Sequence, residues 1–382
     1  ETARAMTRKL LQSLSGRDRV AIVAAEANAP RLLTKPGSVP NRRMDIVEAL
    51  QGWKGGGSGA EAALAGAMSH AGSVLKKLAG AAHRVPGTQL VLAIVAPNCA
   101  QSVHSAKAAA HALTTQGAVT SLVAVGPVPE TARWWEVANA GHGNFHVVTE
   151  ADQCASVVAS ELSAISRVVA RLVRINIRLH KNAHGVRIIG SRILGQPEAR
   201  RVKAREVAVD ANLSASLGLR TDRGEDDDGL QTVIPYFYGG DRHAILVELF
   251  VTKPGGVADV QVRYKDMLNL SNASASTSVA LGTLARPPAP EQEMVLASVQ
   301  SAQLGDVLGT AQTQLKAGQL DAAAATLRRA ARQNIGGAEA DRQLLDGVGA
   351  FLMDNRAADP GSAKMLQEVL GVAQQRQYGY VR

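Results

Sequence analysis

The sequence predicts a three-part α/β chain: a doubly wound α/β domain over residues 1–170, an antiparallel β-sandwich-like domain over 171–285, and an α-helical tail over 286–382. In the first part, short continuous apolar runs alternate with helical-period segments, the pattern of a parallel sheet covered on both faces. From about Val168 the apolar period becomes two, with Gly, Pro or Asp between the runs, as in half-buried antiparallel strands. Beyond Pro287-Pro288-Ala289-Pro290, which marks a linker, only helical periodicity remains.

Taken in order, Met6–Leu14 reads as a helix closed by Ser15-Gly16, and Arg19–Ala24 as a buried strand followed by a polar, Pro-bearing stretch, Asn28–Pro40. Met44–Trp53 is helical, Gly55–Gly57 break it, and Ala60–Leu78 is a long Ala-rich helix. Gln89–Ala96 is a strand, Val103–Leu113 a helix and Val119–Val125 a strand. A Pro-flanked loop leads to a helix around Trp134–Ala138, a strand Asn144–Val148 and a helix Ala151–Val169. Strands with a period of two are expected at Val173–Leu179, Val186–Ile189, Val207–Val209, Ala244–Val251 and Val257–Tyr264. The acidic run Asp222–Asp228 lacks the sixth-position Gly and closing acid of a calcium loop, and reads as a solvated turn. Glu293–Gln333 has the helix, Gly-containing turn and Ala-rich second helix of a tetratricopeptide-like hairpin. A single hairpin cannot form a solenoid, so the tail is expected to pack on the body or on a partner.

Composition narrows the function classes. The apolar share is 46% but aromatics supply only 3%, so the cores must be built from Ala, Val, Leu and Ile, and disorder, collagen and coiled coil are poor descriptions. No run approaches the roughly 18 to 20 apolar residues of a spanning helix. The charge of 42 − 33 = +9 is spread along the chain, with few rings for base stacking. Nucleic acid is therefore not the expected partner. A solvated basic surface, or attraction to an acidic partner or to lipid headgroups, fits better and leaves peripheral membrane association open. Cys99 and Cys154 have no CxxC spacing, which excludes a disulfide framework, leaves one bridge open and favours two small buried hydrophobes. A start at Glu1 rather than Met implies an upstream piece, which would carry any export signal.

The segments Asp18–Val23, Gly56-Gly57-Ser58-Gly59-Ala60-Glu61-Ala62-Ala63-Leu64, Leu90–Ala96, Val123-Ala124-Val125-Gly126 and Ala140-Gly141-His142-Gly143-Asn144-Phe145, in that order, resemble a von Willebrand factor A (VWA) domain. The likeness covers about residues 1–280 and is greatest to the bacterial calcium-activated chloride-channel-like, or YfbK-like, branch, whose following β-rich region ends in strands like Val260–Asp266. The resemblance implies a Rossmann-like sheet with a metal-ion-dependent adhesion site at the carboxyl ends of its strands. That site takes a DxSxS motif after the first strand, a Thr in the second loop and an Asp after the fourth strand, and holds magnesium with a vacancy for a partner's acid. Here Ser58 stands at the Thr position, and Ala96-Pro97-Asn98 puts Pro97 where the carboxylate should be. Ser58 and Asn98 are the visible remnants of a degenerate metal site. Glu1 falls just past the place of DxSxS, so the resemblance expects the first strand on an upstream segment or a separate fragment. Magnesium or calcium is expected only with that segment, and otherwise no cofactor.

Other readings of the same residues are weaker. Lys54-Gly55-Gly56-Gly57-Ser58-Gly59 suits phosphate binding before a helix, but it lacks an upstream strand and the Walker Lys-Ser/Thr pair, so a nucleotide-dependent enzyme ranks third. His104 and His111 are two helical turns apart, too far for one ion, and His142 and His146 straddle a strand start. All four read as solvent-facing or satisfied structural histidines. No Ser, His, Asp set or carboxylate pair has readable spacing. Trp134-Trp135 is unusual in a chain with three Trp: one is expected to close the core and the other to anchor a partner. The expected function is non-catalytic protein binding or scaffolding within an assembly. The alternative is a metal-dependent adhesion protein. By analogy the location is extracytoplasmic, with the cytoplasm as the alternative.

Overall fold

The computed structural model describes residues 2–26, 30–34, 36–52, 61–81, 88–95, 103–126, 131–189, 196–223, 229–241, 243, 245–281, 289–337, 339–354, 366, 370 and 373. In chain order the elements are α1 (Thr2–Ser13), β1 (Arg19–Val20), β2 (Val23–Ala24), β3 (Arg31–Leu32), β4 (Gly37–Ser38), α2 (Val39–Gly52), α3 (Glu61–Ala81), β5 (Gln89–Val95), α4 (Val103–Thr115), β6 (Ala118–Val125), α5 (Thr131–Ala140), β7 (His142–Val148) and α6 (Gln153–Ser166). There follow β8 (Val168–Leu179), β9 (Ala183–Ile189), α7 (Gln196–Leu217), β10 (Leu230–Tyr238), β11 (Leu246–Val251), β12 (Gly255–Asp266), β13 (Ser271–Leu281), α8 (Ala289–Lys316), α9 (Leu320–Arg332) and α10 (Glu339–Asp354). The chain forms two compact units, Glu1–Asn176 with Gln196–Asp241 and Gln261–Ala275, and Ile177–Gly195 with Arg242–Val260 and Ser276–Arg382.

The core of the first unit is a parallel sheet of order β5-β6-β7. Its central strand β6 is buried from Ala118 to Ala124, which explains why its sequence is apolar apart from Thr120-Ser121. Successive side chains go to opposite faces. Leu122 and Ala124 pack with Met68 of α3, Leu113 of α4 and Trp134 of α5. Val123 packs with Met6 of α1 and Cys154 and Val158 of α6. Both faces are covered, as the alternation of apolar runs and helices requires. The stretch Asn28–Pro40, expected to be polar connection, contains β3 and β4, which pair antiparallel with β2 and β1 at Val23↔Leu32 and Arg19↔Ser38. The strand expected at Arg19–Ala24 is thereby split in two: the Ile22 N–H donates to Thr34 Oγ1 instead of continuing a ladder.

The strand expected at Val207–Val209 is an error of period, since these residues lie inside the 22-residue helix α7. The buried stripe of α7 is Glu206, Val209, Asp210 and Leu213, a helical spacing whose acids disguised it as polar. Those acids meet matching cations. Arg174 of β8 donates to Glu206 at 3.0 and 2.5 Å, and Arg223 Nε pairs with Glu206 at 2.9 Å. Lys265 of β12 pairs with Asp210 at 2.6 Å and Asp222 at 2.7 Å. Lys265 Nζ also donates to the Arg220 carbonyl at 2.7 Å and to Asn272 Oδ1 at 3.0 Å. Three buried cations thus face three acids, and Asp222, read as part of a solvated turn, belongs to this cluster. Residues 224–228 of that turn lie outside the described residues.

The remaining sheets have the orders β10-β8-β12-β13 and β11-β9. Hydrogen bonds from Met267 to Val169 and from His180 to Val257 show β8 and β12 running antiparallel, because the paired numbers fall on one strand as they rise on the other. In the second unit β11 pairs antiparallel with β9, and His180 Nε2 lies 3.0 Å from Asp259. The helices α8, α9 and α10 of this unit share one core of Leu304, Leu308, Leu315, Ala324, Leu327, Leu345 and Leu352. The hairpin between α8 and α9 matches the expectation, with α10 added to it. Gly318 closes α8 at φ +73°, a conformation in which an L side chain is strained. Among the described residues no helix is long and apolar enough to cross a membrane.

Candidate functional site

The loops following β5 and β6, and the segment preceding α3, fall in 96–102, 127–130 and 53–60, outside the described residues. Ser58, Asn98, Cys99 and the Gly55–Gly59 loop lie there. Among the described residues no group of three or more His, Cys, Asp or Glu side chains could hold a metal ion.

The adjacent tryptophans are separated by the helix they share. Trp134 is 0% exposed within the core beneath α3 and α4, whereas Trp135, one residue on, is half-buried and is the one that reaches the surface of α5. Cys154 is buried on α6, free, and burial pushes its thiol pKa up, as expected for a small inert hydrophobe.

The buried polar centre around Glu161, between the parallel sheet and α6, involves none of these. Ser121, on the face of β6 opposite Leu122, points toward α6, as do Asn144 and His146 on β7. The sequence Gly141-His142-Gly143 brings β7 in by a register irregularity opposite Thr120–Leu122. His142 has φ +56°, and a Cβ on Gly143 would collide with the Thr120 carbonyl oxygen. Glycine is therefore required at 143 for this approach. The Asn144 N–H then donates to Ser121 Oγ at 3.0 Å.

Glu161 of α6 receives what these residues donate: Ser121 Oγ at 2.5 Å, Asn144 Nδ2 at 2.9 Å and His146 Nε2 at 2.6 Å. Its side chain is 2% exposed. Burial alone would raise the carboxyl pKa, but the hydrogen bonds from His146, Ser121 and Asn144, with the imidazole's charge, outweigh it and hold the group ionised below its ordinary range. The order of groups decides the chemistry. In a nucleophilic triad the imidazole stands between hydroxyl and carboxylate; here the carboxylate stands between hydroxyl and imidazole. Ser121 is 0% exposed and its proton is committed to Glu161, so the arrangement pins α6 to β6 and β7 rather than presenting a nucleophile.

The sequence reading took His146 as structural, and its partnership with Glu161 agrees; His104 is exposed. Glu161, Ser121 and Asn144 stand outside the site residues expected from the sequence. A signal existed: Glu161 is the one acid on the stripe Cys154, Val157, Val158, Glu161, opposite a hydroxyl pair in the apolar run of β6.

No protein-family profile matches the chain, and no characterised protein matches it by sequence. Solved structures do. A von Willebrand factor type A protein from Catenulispora acidiphila is 14% identical over 97% of this chain and 84% of its own, with a TM-score of 0.58. The ArnB paralog VWA2 from Sulfolobus acidocaldarius is 12% identical over 98% of this chain and 82% of its own, with a TM-score of 0.48. The Catenulispora likeness shows a VWA fold for this chain, in agreement with the expectation from the sequence.

Proposed function

We propose that this chain is a non-catalytic protein-binding or scaffolding subunit of a larger assembly, working through its VWA-type fold outside the cytoplasm and related to the YfbK-like bacterial branch. The observation that carries the reading is the shared VWA fold, whose members generally serve protein interaction or adhesion. Two features of the chain support it. Pro97 stands where the family's metal carboxylate is expected, which favours a metal-independent interface. Trp135 offers a half-buried indole on α5, a residue type common at interface centres.

Thermal unfolding of the full chain with magnesium, manganese or calcium at millimolar concentration tests the metal-independent part. A site at 100 times its Kd adds about 2.7 kcal/mol. No rise in Tm is expected; a clear rise would replace this reading with the metal-dependent adhesion protein. A photo-crosslinking side chain at position 135 tests the interface in the native host. Reproducible adducts to one protein support the reading, and adducts to none remove Trp135 from it.

A further inference from the structure

A second group of polar side chains in the first unit gathers at the amino ends of the parallel strands, the end opposite the loops that follow β5 and β6. It comprises Lys107 and His111 of α4, His142 at the start of β7, Arg171 of β8, and Arg201 and Arg205 of α7. Arg171 and His142 both lie against the Tyr236 ring, Arg171 Cζ 4.7 Å from its centroid and the His142 centroid 6.2 Å from it, and α7 is held to the end of α4 that carries His111; burial first, and then the charge of Arg205, lowers the pKa of both imidazoles. Arg201, Arg205 and Asn212 stand at i, i+4 and i+11 on one face of α7. Asn212 Nδ2 holds that face to the end of α4 through the Thr115 carbonyl at 2.6 Å.

The charge balance of this group is lopsided. Arg205 is half-buried and has neither an ion pair nor a hydrogen bond among the described residues. Arg171 is 8% exposed, donates to the Gly117 carbonyl and Tyr236 hydroxyl, lies 4.7 Å over the Tyr236 ring, and leaves its Nε without a partner. His111 Nδ1 and His142 Nδ1 are enclosed and also without partners. Among the described residues, the ion pair this group makes is that of Lys107 with Glu136, at 2.7 Å. Elsewhere in the same unit the buried cations Arg174, Arg223 and Lys265 are matched by Glu206, Asp210 and Asp222. An unmatched cluster of cations is costly when partly buried, unless a mobile anion completes it.

We propose that Arg205, Arg201, Arg171, His111 and His142 form a binding site for a phosphate-type dianion, either free phosphate or a phosphomonoester. The guanidinium of Arg205 supplies a fork that suits phosphate oxygens, and Arg201 at the exposed rim leaves the site open to solvent. The two imidazoles can take up protons as the dianion arrives, giving further donors. Thr120, paired with His142 on the neighbouring strand, has a buried hydroxyl that is likewise without a partner.

The test titrates the full chain with inorganic phosphate, and separately with glycerol phosphate, against chloride at matched ionic strength. Tm and calorimetric heat are read for the wild type and for R205Q and R201Q, with urea unfolding in chloride showing that each variant still folds. A saturable phosphate response beyond that of chloride is expected, with at least a tenfold weaker apparent Kd in R205Q. Histidine NMR signals should shift with the same dependence on phosphate. A response to glycerol phosphate assigns the site to monoesters, and a response to inorganic phosphate alone assigns it to the free ion. Equal effects of phosphate and chloride, or an undiminished response in R205Q, would overturn the proposal.

Discussion

Replacing Glu161 tests whether the buried carboxylate is what joins α6 to the parallel sheet. Glu161→Ala removes the acceptor for Ser121, Asn144 and His146 at once. Hydrogen bonds to a charged group contribute roughly 1.5–3 kcal/mol each and are not additive, and burying the carboxylate offsets part of their sum. Breaking such a buried set by removing one partner costs about 3–5 kcal/mol. That is a large part of the roughly 5–15 kcal/mol by which domains are stable. Urea unfolding followed by tryptophan fluorescence reports on this unit, because Trp134 is enclosed in its core. The double variant S121A/E161L should recover part of the loss, since removing both partners leaves fewer orphaned groups. The acid limb gives an independent reading. The folded Glu161 carboxyl lies below its ordinary 4.5, so its contribution is complete above that pH and is lost as pH falls through the folded value. Glu161→Gln should flatten that limb. An Ala variant within about 0.5 kcal/mol of wild type, the scatter of ordinary surface substitutions, would refute the argument.

Three other outcomes follow from the geometry. Lys265→Met leaves Asp210 and Asp222 without the ammonium that lies 2.6 and 2.7 Å from them, and should cost about 3–5 kcal/mol in urea unfolding. Gly143→Ala drives a methyl into the Thr120 carbonyl, so β7 must shift; a loss of about 2–4 kcal/mol in Tm-derived stability is expected, against near neutrality for Gly347→Ala, at an open position within α10. In phosphate-free buffer, burial followed by the charge of Arg205 lowers His111 to about 4 and His142 to about 3. Because the unfolded rings titrate near 6.5, stability should fall as pH drops below that value, and NMR at pH 5 should still show both rings neutral. Titration near 6.5 would show that the enclosure is absent.

The alternation of apolar runs and helices made the doubly wound sheet legible because its strands are buried on both faces, so β5 and β6 are dominated by small and branched apolar residues, interrupted in β6 by Thr120-Ser121. The helical tail was legible for a similar reason, its turn announced by Gly318 and its faces by Ala and Leu. Failures came where a face buries charge. Helix α7 hides an inward stripe of Glu206 and Asp210 that no apolar period reveals, so a strand was read at Val207–Val209. Strand β13 is exposed along nearly its whole length, and a strand with no buried face leaves no alternation to find.

The candidate sites divide the same way. The likeness to VWA domains rested on the order of local segments, and a local segment such as Gly141-His142-Gly143 carries its own steric reason in sequence: close approach of two backbones demands glycine. Pairings did not. Ser121 and Glu161 are forty positions apart, Arg174 and Glu206 thirty-two, and a hydroxyl or a cation looks the same in sequence whether it ends in water or against a carboxylate. The sequence by itself determined which segments were apolar, where the chain had to turn, and hence the class of fold. Only the tertiary structure decided which buried charges met partners among the described residues, because that depends on distances between residues that no local pattern encodes.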